Sequence, residues 1–145
     1  MALKDDVSLL ELLDLSQLNC LNEETAHPFS SIVDAKAVNT TPNYLLSDAD
    51  EQLLLNIPFN QSVRVRSIVI KSSAVPQAPK RVKLLVNRPT IGFEDVEDAE
   101  EPEVAQVVEI SEADVQEGRP IALRFVRFQA VTSLHARCAL SLGLS

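Results

Sequence analysis

From Gln52 onward the chain is a succession of short apolar runs separated by turn-forming residues, and this spacing leaves few folds open. Gln52–Phe59 (QLLLNIPF) is compact and contains Pro58. Val63–Ile70 (VRVRSIVI) alternates at first and then becomes apolar on both faces, so the two runs predict neighbouring strands joined through Asn60, Gln61 and Ser62. Arg81–Val86 follows a linker holding Pro76 and Pro79, and Val104–Ile110, Ile121–Phe128 (IALRFVRF) and Val131–Leu142 complete the set. In the last run Leu134, Ala136, Cys138, Leu140 and Leu142 fall on one face, with Ser133, His135, Arg137 and Ser141 on the other. That is the pattern of a half-buried strand.

Helical signals are short. Asp6–Leu15 places Leu9, Leu10, Leu12 and Leu13 on a stripe behind an N-cap candidate, Asp6, and predicts a short N-terminal helix. Ser111-Glu-Ala-Asp114 is a loosened capping box, with Gly118 and Pro120 placed to stop what it starts, and predicts one helical turn. Between Asn22 and Tyr44, Pro28 and Pro42 among Ser, Thr and Asn read as an irregular connection. Six short strands with almost no helix predict an all-β antiparallel sandwich or barrel rather than an α/β sheet.

With 145 residues, 46% of them apolar, the expectation is a single domain with a core that needs no staple. Cys20 and Cys138 form none of the paired spacings of a zinc or dithiol site, which fits a reducing compartment. No apolar stretch approaches a membrane span, and Asp5 and Asp6 stand where a signal peptide carries positive charge. A cytoplasmic location, extending to the nucleus, is the expectation.

Charge is distributed in blocks. Residues 1 to 51 hold ten acids and two bases, 52 to 93 seven bases and no acid, 94 to 118 eleven acids and no base, and 119 to 145 four arginines and no acid. The net charge of −8 argues against a dedicated nucleic-acid binder, which needs a cationic surface. Three glycines leave little material for phosphate-cradling loops.

Candidate chemistry is sparse. Cys20 is flanked by leucines, and Cys138 sits on the apolar face of its strand, so both read as small core residues. His27 and His135 read as solvent-facing or bonded in turns. The carboxylates from Glu94 to Glu103 read as a solvated loop, whereas Asp48, Asp50 and Glu51 lead into the apolar run at Leu53 and suit turn capping or, less readily, oxygen ligation of a cation. Arg64 and Arg66 alternate with Val63 and Val65 and so share a face, which Arg124 joins from another strand. Two readings stand: these arginines complement the chain's own acids, or they form an electrostatic docking surface for a protein partner. The partner-binding candidates are therefore Arg64, Arg66, Asp48, Asp50 and Glu51.

Cys20-Leu-Asn-Glu23, His27-Pro-Phe29, Leu46–Leu55, Ile57–Gln61, Pro79–Leu84 and Leu123–Gln129, followed by Val131–Leu134, run in the order and spacing of the PITH domain, which the chain resembles over residues 9 to 134. The acidic Phe93-Glu-Asp-Val96 is similar to a loop of that family. The resemblance implies a jelly-roll-like β-sandwich related to galactose-binding folds. It also implies a non-catalytic module that docks on the regulatory particle of the 26S proteasome. A monomer with no cofactor and no contact with nucleic acid or membrane is the accompanying expectation. The family's redox pair belongs to a separate thioredoxin domain, so no catalytic residue carries over. From His135 to Ser145 the sequence departs from the family pattern, and two readings follow: a genuine strand, or a truncated or misread terminus that leaves a sheet without its closing strand and its edge exposed. The alternatives to docking are a carbohydrate- or small-ligand-binding sandwich and a thiol-dependent enzyme using Cys20.

Overall fold

A computed structural model describes residues 8–23, 25–33, 45–46, 52–70, 81–88, 91–96, 104–139 and 143–144. Within them lie nine strands: β1 Asn19–Leu21, β2 Leu45–Leu46, β3 Gln52–Val63, β4 Ser67–Ile68, β5 Arg81–Val86, β6 Gln106–Glu109, β7 Ile121–Ala122, β8 Val131–Ala139 and β9 Gly143–Leu144. Three short helices, α1 Ser30–Val33, α2 Phe93–Val96 and α3 Glu112–Glu117, join them. Asp48, Asp50 and Glu51 lie outside the described residues.

One antiparallel sheet of order β1-β3-β8-β5-β6 forms the main layer, and two short ladders, β2-β9 and β4-β7, stand apart from it. This is the expected all-β sandwich, built on the galactose-binding-like fold of the PITH domain. The strand β8 is its axis. Leu53, Leu55 and Ile57 of β3 stand opposite Cys138, Ala136 and Leu134, and Val82, Leu84 and Val86 of β5 stand opposite the same three from the other side. Since side chains alternate, these residues share one face, which packs against Leu13, Phe29, Val33, Leu45, Val65, Val115, Leu123 and Phe128 of the closing layer. Each fully buried Leu or Phe contributes roughly 1.5–3 kcal/mol over its exposed state.

The other face is buried as well, against the half-solvated expectation. Leu54 and Leu85 pack with Ile91 and Val104, and with Leu21, Phe93 and Val107 at the margin. The apolar residues at the two ends of the acidic stretch therefore cover a surface that the alternation of β8 alone would assign to water.

Two further expectations change. Residues 60–62 do not turn a hairpin: β3 continues to Val63, pairing Pro58 with Ser133 and then Val63 with Val131 across an irregularity. Pro58 has no N–H to donate, so a break in the ladder suits its position. The N-terminal helix reduces to a 3-10 turn at Leu10–Leu12. Asp14 bends the chain there, accepting from both Ser16 N and Ser16 Oγ while its own N–H donates to Pro58 O at 3.0 Å. Asp6 falls outside the described residues. Of the two readings for the segment from His135, the strand is present as far as Ala139, where β8 runs at the centre of the sheet, and Gly143–Leu144 pair with Leu45–Leu46.

The capping box forms as read: Asp114 N donates to Ser111 Oγ, Ser111 N donates back to Asp114 Oδ2, and Gly118 closes the helix in the left-handed region at φ 67°. The helix runs six residues, beyond the single turn expected, and delivers Val115 to the core.

Leu84→Ala, at the centre of β5 between β6 and β8, is expected to lower the free energy of unfolding by about 2–5 kcal/mol, measured by urea titration.

Candidate interaction face and polar cleft

The ladder β4-β7 ends in an unusual exchange. Ile68 pairs with Ile121 and Ser67 with Ala122, after which Leu123 N donates to Arg66 O at 2.9 Å. The next residue back, Val65, donates its N–H to Phe128 O at 2.9 Å. Two adjacent residues of one segment thus bond to residues 123 and 128 of the other, and the four between them are extruded. They close a 3-10 turn, Phe125–Phe128, with Arg127 N bonded to Arg124 O at 3.0 Å.

The extrusion corrects the reading of IALRFVRF as a strand, and its cause is visible in the residue order. Alternation would set Arg124 with Val126 and Phe128, and Arg127 with Leu123 and Phe125, so neither face would be clean. The turn resolves this by burying Leu123 and Phe128 and leaving Arg124, Phe125, Val126 and Arg127 outside. Val126 is 80% exposed and Phe125 47%; with Val69, 56% exposed just beyond β4, they are the exposed large hydrophobics among the described residues. Arg64 and Arg66 are exposed and alternate with buried Val63 and Val65, although only Val63 belongs to a strand. Arg124 joins them through the Leu123–Arg66 bond. The result is an apolar knob, Phe125 and Val126, with four exposed arginines, Arg64, Arg66, Arg124 and Arg127, on the two segments that form and pin its turn.

A second feature lies on the far face of the sheet. His135 is 3% exposed and not solvent-facing. Its Nδ1 lies 2.7 Å from Asn56 Oδ1, while Nε2 lies 3.0 Å from Ser133 Oγ and accepts from Arg88 N at 3.2 Å. An Nε2 that accepts a backbone N–H carries no proton, so the ring is neutral and donates through Nδ1. Asn56 passes the chain on through Nδ2 to Asn19 Oδ1 at 2.8 Å, linking β8 to β3 and β1. Burial lowers the histidine's pKa below 6.5, and the Arg88 charge pushes the same way. These groups line a cleft of about 390 Å³ with Gln17, Ile57, Pro58 and Ile91. A serine hydroxyl beside a histidine held by an amide oxygen is the order of an acyl-transfer triad. Here Nε2 is shared with the Arg88 N–H, and the network acts as a strut between three strands. Asn56 inside an otherwise apolar run was its signal in the sequence, since a buried amide needs a partner.

The thiols are core residues. Cys20 lies opposite Leu55 and Cys138 opposite Leu53, both free and buried. Burial pushes the Cys138 thiol up to about 12 and that of Cys20 higher still, with Glu23 adding to the latter. A thiol held protonated is a poor nucleophile. No group of His, Cys, Asp and Glu able to hold a metal exists among the described residues.

An all-β sandwich of galactose-binding-like type, carrying an apolar knob on a basic face, is the class this geometry defines. The chain belongs to the PITH domain family, whose model matches residues 2–137. Thioredoxin-like protein 1 of Schizosaccharomyces pombe is 38% identical over 135 residues, which cover 90% of this chain and 44% of that protein. PITH domain-containing protein CG6153 of Drosophila melanogaster is 36% identical over 91 residues, covering 62% and 43%, and PITH domain-containing protein 1 of Homo sapiens is 34% identical over 86, covering 59% and 41%. The chain spans less than half the length of these curated relatives.

Two outcomes test the cleft and the thiols. With its folded-state pKa below 6.5, His135 leaves the unfolded chain binding more protons as pH drops through and below that value. Stability therefore falls on acidification, and His135→Gln removes that component of the slope in denaturant titrations from pH 7.5 to 5. Native protein at pH 7.5 is expected to resist iodoacetamide at both cysteines, with mass shifts only after unfolding.

Proposed function

We propose that this chain is a single PITH-type unit that works without catalysis, docking on the regulatory particle of the 26S proteasome. The observation that carries the docking reading is the knob. Large exposed hydrophobics on a protein surface mark interaction sites when they cluster, and here Phe125 and Val126 stand together in one turn. The segment that forms the knob, Leu123–Gln129, is among those on which the resemblance to the PITH family rests. Membership of the PITH family supports the regulatory particle as the partner, and the similarity to a thioredoxin-like protein is in keeping with that reading. The thiol-enzyme alternative loses support from the raised thiol pKa values of both cysteines. The carbohydrate alternative has no Trp platform to draw on, and the cleft at His135 is occupied by a satisfied internal network.

Tagged protein incubated in native lysate at low salt is expected to recover regulatory-particle subunits, identified by mass spectrometry, and to lose them as salt rises. Val126→Asp leaves folding within about 0.5 kcal/mol of wild type, because the side chain is exposed. Absence of regulatory-particle subunits at low salt would sink the proposal.

A further inference from the structure

The geometry points to the chemistry of the docking partner: we infer that the knob of Phe125 and Val126, with Arg64, Arg66, Arg124 and Arg127, receives an acidic protein segment that carries apolar side chains. The inference rests on the docking reading for the importance of this face, and goes beyond it in stating what the face takes. Its first ground is charge. From Val63 to Ile70 and from Arg119 to Ala130 the chain carries five bases and no acid, and the side chains of Arg64, Arg66, Arg124 and Arg127 are exposed. A face of one sign selects a partner of the other and speeds its arrival.

The second ground is the apolar centre. Val126 and Phe125 are displayed by a turn pinned at both ends by backbone bonds and anchored by fully buried Phe128, so little side-chain or loop ordering is needed on binding. An anchor of this kind, ringed by charges that exclude water only when a partner arrives, has the form of an interface hot spot.

The other occupants fit less well. A second copy meeting this face about a twofold axis would set arginines against arginines. A polynucleotide would answer the arginines but not Val126, and the acid-only block from Glu94 to Glu117 repels it. An acidic segment with Leu or Phe among its carboxylates answers both.

Fluorescence anisotropy with a labelled twelve-residue peptide of alternating Asp or Glu and Leu or Phe tests this directly. Saturable binding is expected at low salt and is expected to weaken about tenfold or more by 0.3 M salt. Val126→Asp and the pair Arg64→Glu, Arg66→Glu are each expected to cut affinity about tenfold or more with the thermal melt unchanged. An isosteric Asn, Gln, Leu and Phe peptide should bind far more weakly, as should polyuridylate. Equal binding of the neutral peptide, equal binding of polyuridylate, or wild-type affinity in both variants overturns the inference. Recovery of regulatory-particle subunits by Val126→Asp at the wild-type level overturns it while leaving the proteasome proposal standing. Peptide binding by a wild-type protein that recovers no such subunits does the reverse.

Discussion

Everything else in the structure hangs on the pairing of β8 with two strands at once. Val131–Ala139 lies between β3 and β5, so its backbone N–H and C=O groups serve both neighbours, and the side chains of Leu134, Ala136 and Cys138 form the floor of the core. A strand in that position is buried on both faces when something covers the second, and here Ile91, Phe93 and Val104 do so. The charged stretch between them is thus not a spacer of arbitrary composition, because its ends supply apolar cover. His135 is tolerated in the same place because each of its nitrogens has a partner, and burial without them would cost about 1–3 kcal/mol per orphaned group.

The knob is a local solution to a different conflict. Leu123 and Phe128 both belong in the core, yet they stand at a spacing that a strand would place on opposite faces. Looping out the intervening four residues lets both turn inward, while the two bonds to Val65 and Arg66 keep the loop's feet together. Surface exposure of Phe125 and Val126 is therefore set by core packing beneath them, which makes the display rigid.

Much of this was legible in the residues. The strand at Arg81–Val86, the central run from Val131 and the capping box at Ser111 follow from periodicity and cap chemistry that act locally. What escaped depends on partners distant in sequence. The continuation of β3 through Asn60, Gln61 and Ser62 is dictated by β8, and nothing within the polar triplet itself distinguishes a bulge from a turn. His135 read as solvent-facing or bonded in a turn because the cover over its side of the sheet comes from Ile91 and Arg88. Alternation put Arg64 and Arg66 on one face, and both are exposed, while the exposed apolar pair Phe125 and Val126 was hidden inside an apparent strand.

The central position of β8 also has a consequence in time. Asn56 and His135, neighbours in the sheet, are 79 positions apart in the chain, and β5 likewise waits for β8 before it can join β3. During synthesis β3 emerges long before its inner partner, with only the short β1 available to pair with it. A nascent chain of this order holds Leu53, Leu54 and Leu55 unsheltered until the last long strand leaves the ribosome. Loop closure over that span makes the sheet slow to assemble and dependent on whatever shields the emerging strand meanwhile.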